Sequence, residues 1–103
     1  MELPIHIFTD KELNKLSQLF KILSHVSRLK ILRALFDGDK YVSEIIKLSG
    51  LGQSNVSKQL KFMEAEGVIS STQLGTLRFY KLESQLIADI FNLIDQSKLR
   101  INK

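Results

Sequence analysis

Apolar residues recur along this chain at helical spacing, broken by short polar interruptions. Thr9-Asp10-Lys11-Glu12 has the form of a capping box, a Thr followed three residues later by a Glu that can reach back to it. Behind it Leu13, Leu16, Phe20 and Leu23 repeat three and four apart, which predicts a helix over about residues 10–24. His25-Val26-Ser27 interrupts the pattern. Leu29, Ile31, Leu32, Leu35 and Phe36 then predict a second helix, stopped by Asp37-Gly38-Asp39. A third, short helix carries Val42, Ile45, Ile46 and Leu48 and ends at Gly50. Only Leu51-Gly52 separates it from a fourth, Gln53 to Glu66, with Val56, Leu60 and Met63 as its apolar set and Gly67 as its stop.

Past Gly67 the period changes. Val68-Ile69 and Leu77-Phe79-Tyr80 flank a polar stretch that contains Gly75, which reads as two short strands joined in a β-hairpin. Leu77, Phe79 and Lys81 would share one strand face, and Arg78, Tyr80 and Leu82 the other. A last helix runs from about Ser84 to Ser97. Its Leu86, Ile87, Ile90, Phe91, Leu93 and Ile94 cover more than one stripe, so it must be buried on more than one side. In a chain this short, the second side is most simply a partner chain. The expected fold is mainly α with a small β-hairpin, in the order α-α-α-α-β-β-α. Two short, tightly connected helices followed by a hairpin are the layout of a winged helix-turn-helix. The expected organisation is an N-terminal arm (1–9), one domain (10–99) and a C-terminal tail (100–103).

Composition narrows the chemistry. The 103 residues hold no Cys, which excludes a disulfide scaffold, a thiolate metal site and a thiol switch. No apolar run approaches the roughly 18 residues of a membrane span, and Met1-Glu2-Leu3-Pro4 lacks the basic stretch and apolar core of a signal peptide. A cytoplasmic location with no membrane partner is the expectation. The formal charge is +4, with a sequence pI near 9.5. Residues 1–40 carry seven cations and five anions, 41–82 five and three, and 83–103 three of each. With no basic tail, any nucleic-acid binding must use a shaped surface. No phosphate-cradling glycine loop and no nucleophile elbow is present, so an enzyme is not expected.

The fourth helix carries the most suggestive chemistry. With Val56, Leu60 and Met63 turned to the core, Ser54, Lys58, Lys61 and Ala65 point directly away, and Asn55 and Ser57 lie on the flanks. Short polar groups and lysines suit a major groove. The same composition also suits an ordinary solvated face. Asn55, Ser57, Lys58 and Gln59 are the candidates for base contacts, with Gln53 at the helix start, and Ser54 and Lys61 for phosphates. The hairpin adds Gln73, Thr76, Arg78 and Lys81, of which Arg78 is the candidate for a minor groove. Arg78 and Lys81 read equally well as strand solubilisers.

Residues 20–36 (Phe-Lys-Ile-Leu-Ser-His-Val-Ser-Arg-Leu-Lys-Ile-Leu-Arg-Ala-Leu-Phe) resemble the opening signature of the ArsR/SmtB family of winged-helix repressors. Val42-Ser43-Glu44-Ile45, the run from Gln53 to Lys61 and Glu66-Gly67-Val68-Ile69 are similar to that family's helix-turn-helix, and Gly75 with Arg78-Phe79-Tyr80 to its wing. The resemblance spans about residues 13–97, in order and in spacing. It implies a homodimeric repressor that binds double-stranded DNA at an inverted repeat. Its first and last helices would form the interface, here through Leu13, Leu16, Phe20, Leu86, Ile90, Leu93 and Ile94.

The chain departs from the family where the family senses. A proline commonly follows the histidine; here it is Val26. A Ser-type cap commonly opens the recognition helix; here it is Gly52. Where metal-sensing members carry Cys, in the segment matching Tyr41-Val42-Ser43-Glu44, Tyr41 and Ser43 stand instead. Where others carry Asp and His ligands along the last helix, Ser84, Leu86, Ser97 and Arg100 stand, and these do not form a zinc set. His25 reads as a structural, hydrogen-bonded residue, and His6 lies in the arm. Neither a metal nor a cofactor is expected. A small organic effector between the first and last helices stays open. So does a different class of function, a dimeric protein-interaction module that has lost DNA binding.

Overall fold

A computed structural model describes residues 8–97. The elements are α1 (Asp10–Leu23), α2 (Val26–Phe36), β1 (Lys40–Tyr41), α3 (Val42–Ser49), α4 (Gln53–Ala65), β2 (Ile69–Leu74), β3 (Leu77–Leu82) and α5 (Gln85–Ser97). Most of the arm, including His6, and the tail with Arg100 lie outside the described residues, as does the domain end expected at residue 99.

The expected capping box forms. The Thr9 amide donates to Glu12 Oε1 at 2.9 Å, and the Glu12 amide donates to Thr9 Oγ1 at 3.1 Å. These bonds satisfy amides that a helix start otherwise leaves open. α3 and α4 are separated by Gly50-Leu51-Gly52. Gly50 takes φ +72°, a left-handed conformation that glycine adopts without penalty, and its amide closes α3 on the Ile46 carbonyl at 3.0 Å. The buried Ser49 hydroxyl accepts from the Leu51 amide at 3.2 Å, so the connection between the two helices is held from inside.

The hairpin is tighter than its sequence indicates. Leu74 pairs with Leu77, so Gly75-Thr76 alone make the turn, with Gly75 at φ +62°. One strand is additional to the expected order. Lys40–Tyr41 pairs antiparallel with β3, giving a three-stranded sheet in the order β1-β3-β2. Two residues are too few to show an alternating pattern, and the partner lies some 40 positions along the chain (Lys40 with Tyr80). The Tyr41 ring packs on Phe79, directly opposite in register, with centroids 4.2 Å apart. The strand faces divide as expected: Tyr80 and Leu82 pack on the core, while Leu77 stays exposed at the tip.

The core lies where α2, α3, α4 and the base of the sheet meet. Ile31, Leu32, Ile45, Val56, Leu60, Met63, Ile69 and Ile87 are fully buried. Each such side chain contributes about 1.5–3 kcal/mol relative to an exposed one. The two flanking helices contribute little to this core. α1 buries Ile22 and α5 buries Ile87, each a single residue. Phe20 stays 57% exposed and Leu93 66%, with Leu13, Leu86 and Ile94 also exposed and Leu16 and Ile90 half-buried. The seven residues expected at an interface therefore lie outside the core. No helix among the described residues is long and apolar enough to cross a membrane.

Ile87 is the anchor of α5, and Ile87→Ala leaves a cavity under that helix. The substitution is expected to lower stability by about 2–5 kcal/mol, as read from the urea midpoint at unchanged m-value. A loss below about 1 kcal/mol would mean that α5 is held in place by something else.

Candidate nucleic-acid interface

α4 is held on three of its four sides. Its inner side is the buried row Val56, Leu60 and Met63. One flank faces the start of α2. Arg28 Nε donates to Gln59 Oε1 at 2.9 Å, Gln59 Nε2 donates to Asn55 Oδ1 at 3.1 Å, and Asn55 Nδ2 donates to Ser27 Oγ at 3.2 Å. The Arg28 guanidinium also lies over the Phe62 ring, 4.1 Å from its centroid, and reaches the Lys21 carbonyl at the end of α1 at 3.4 Å. The other flank faces the wing, where Ser71 Oγ donates to Glu64 Oε2 at 2.7 Å. What remains is the outward strip with Ser54, Ser57, Lys58 and Lys61, all exposed, and Gln53 exposed at the helix start. Gly52 caps α4 without a side-chain bond, so amides of its first turn stay open at the same end.

Two of the expected base contacts, Asn55 and Gln59, also bond within the protein. Both are half-buried: they bond to each other within α4, and Asn55 also donates to Ser27 and Gln59 accepts from Arg28 on α2. They sit one helical turn apart on the flank that packs on Ser27 and Arg28. Arg28 and Phe62 are the residues that sequence reasoning missed. Their partners lie 31 positions apart or across a helix-helix contact, where no local spacing reports them. His25 is also placed differently from expectation: it is exposed at the start of α2, and its side chain makes no capping bond.

On the wing, Arg78 is exposed but tethered. Its Nη1 donates to Ser71 Oγ at 2.8 Å, and Ser71 in turn donates to Glu64, so a line of bonds runs from wing to α4. Gln73 Nε2 donates to the Gly75 carbonyl at 3.0 Å and steadies the turn, and Thr76 is exposed within it. Burial pushes the Tyr80 hydroxyl above its usual range; the Glu64 carboxylate adds to this, and Arg78 opposes it. Lys81 is exposed on the opposite sheet face. Among the described residues no group of three His, Asp or Glu side chains gathers to hold a metal ion.

Residues 25–71 match the family described as "Bacterial regulatory protein, arsR family". That match covers the helix-turn-helix segment of this chain. It is 29% identical over 85 residues to the Biofilm growth-associated repressor of Xylella fastidiosa, covering 82% of this chain and 75% of that protein. The crystal structure of the transcriptional repressor BigR from Xylella fastidiosa superposes with a TM-score of 0.81 at 26% identity, covering 91% of this chain and 94% of the other. A Mycobacterium bovis fragment described as a homodimeric winged helix-turn-helix DNA-binding domain superposes at 0.71 with 25% identity, covering 87% of this chain and 86% of the other. The ArsR-family match spans α2 to the start of β2, the stretch that contains both Arg28 and α4.

The Arg28 network is the energetic link between α2 and the outward helix. Removing Arg28 leaves the half-buried Gln59 carbonyl without its charged partner. A double-mutant cycle on Arg28→Ala and Gln59→Ala is expected to give a coupling of about 1–2 kcal/mol in thermal or urea unfolding. Strict additivity would show that the two side chains are merely adjacent.

Proposed function

We propose that this protein is a homodimeric, sequence-specific DNA-binding repressor, with α4 in the major groove and the hairpin as the wing. The observation that carries the reading is the outward strip of α4. Ser54, Ser57, Lys58 and Lys61 form a carboxylate-free ridge, while both flanks of the helix are tied to the body. A reading helix has to be rigid as well as polar, because a misplaced donor loses its base. Ser57 and Lys58 are assigned to base edges, Gln53, Ser54 and Lys61 to phosphates at and beyond the open helix start, and Arg78 with Gln73 and Thr76 to the minor-groove side. Asn55 and Gln59 act as positioning residues, holding the ridge at a set angle. Relatives named as repressors, among them the Xylella fastidiosa proteins, support the regulatory role. With no Cys in the sequence, no thiol input is proposed for this regulator, and no metal input is proposed either.

The dimer follows from the apolar faces left open on α1 and α5. Leu13, Phe20, Leu86, Leu93 and Ile94 are exposed, and Leu16 and Ile90 half-exposed, on the two helices that contribute least to the core. Such a surface is costly in water and self-complementary across a twofold axis. The homodimeric Mycobacterium bovis domain supports this arrangement. A twofold dimer places its reading helices on an inverted repeat, in half-sites roughly 34 Å apart.

The test is fluorescence anisotropy against the DNA upstream of the protein's own gene, with scrambled DNA as competitor, at several salt concentrations. With about three phosphates per subunit, log K against log salt is expected to fall with a slope near −5, and Lys61→Ala to flatten it by about 2. Arg78→Ala is expected to weaken binding without unfolding the chain. A wild-type slope near −1, or equal affinity for both DNAs, would remove the sequence-specific reading. Independently, Leu93→Glu is expected to convert the dimer to monomer in sedimentation; a dimer that survives it uses another face.

A further inference from the structure

Between α2 and α5 the surface opens into a groove of about 650 Å³ that the DNA-binding surface does not use. Leu29 and Phe36 line it from α2 and Phe91 from α5, and Ile94, which belongs to the proposed dimer face, stands at its edge. The Phe36 and Phe91 rings pack on each other with centroids 5.4 Å apart, which gives the groove an aromatic floor. Two cations of α2, Lys30 and Arg33, stand along the same groove, and among the described residues neither side chain makes a hydrogen bond or an ion pair. Asp95 also lines it and is engaged in an interaction of its own.

An apolar concavity of this size with a few convergent charges is the general form of a small-molecule site. We propose that the groove binds an amphipathic organic anion, an aromatic or alkyl carboxylate. Its apolar body would lie on Phe36, Phe91 and Leu29, and its carboxylate would face Lys30 and Arg33. Charge decides between this occupant and a second copy of the chain. A twofold contact centred on the groove would set Lys30 and Arg33 against their own copies, whereas an anion is attracted to both. The hollow between α1 and α5, lined by Leu16, Leu19 and Leu86, is about half the volume at 320 Å³, and its charged groups, Glu12 and Lys15, are of opposite sign.

The groove also has a route to α4. Lys30 and Arg33 lie on α2, and so do Ser27 and Arg28, which hold Asn55 and Gln59. A ligand that shifts α2 against α5 therefore moves the clamp on the outward helix. This consequence for regulation rests on the DNA-binding reading; occupancy of the groove does not.

The experiment is a titration of the ¹⁵N-labelled protein, without DNA, with 2-naphthoate and with its neutral analogue 2-naphthalenemethanol, followed by amide chemical shifts. Shift changes are expected on α2 and on α5 from Phe91 to Asp95. Affinity for the anion is expected to be about tenfold tighter than for the alcohol, a gap lost in the Lys30→Gln/Arg33→Gln double variant. The side-chain amide signals of Asn55 and Gln59 are expected to move at saturation. Absence of binding, equal affinity for the two compounds, or shifts centred on Leu16 and Leu86 would overturn the site. Stationary Asn55 and Gln59 signals at saturation would overturn the route to α4. None of these outcomes depends on DNA, so failure here is separable from failure to bind an operator.

Discussion

The arrangement depends on how α4 is seated. Val56, Leu60 and Met63 form a dry row against α2, α3 and the sheet base, and burying that row sets the rotation of the whole helix. Rotation by one residue, about 100°, would replace the row with polar groups and strand them without partners. Apolar burial therefore selects which side of α4 meets solvent. It sets the angle only coarsely, because hydrophobic contact is non-directional. The finer adjustment comes from directional bonds on the flanks, Arg28 to Gln59 and Ser71 to Glu64. These reach α4 from two separate elements, α2 and the wing.

α2 is the hub of this geometry. It buries Ile31, Leu32, Ala34 and Leu35, clamps α4 through Ser27 and Arg28, and presents Lys30 and Arg33 beside α5. One rigid helix of eleven residues thus touches the core, the outward helix and the groove. α1 and α5 are its opposite. Each has a strong apolar stripe and buries one residue of it, because the small core is already filled by the central elements. A chain of 103 residues buries a limited fraction of its surface, and two helices of unsatisfied apolar area are the remainder that a partner surface would cover.

Much of this was legible in the residues themselves. Spacing placed α1 to α5 to within a residue or two, and the core of α4 was readable from Val56, Leu60 and Met63 alone. Helical period and capping are local properties, written within a few residues of where they act, so the chain by itself determined them. The outward strip with Ser54, Lys58 and Lys61 followed from the same geometry. The tertiary structure decided what depends on partners distant in sequence. It drew Lys40–Tyr41 into the sheet against Phe79 and Tyr80, joined Asn55 and Gln59 to Ser27 and Arg28, and tied Arg78 to Ser71. A polar side chain on a helix flank is equally able to bond solvent, a base or a neighbouring helix. Which of these it does is settled by the element that packing brings within about 3 Å of it, and no local spacing encodes that.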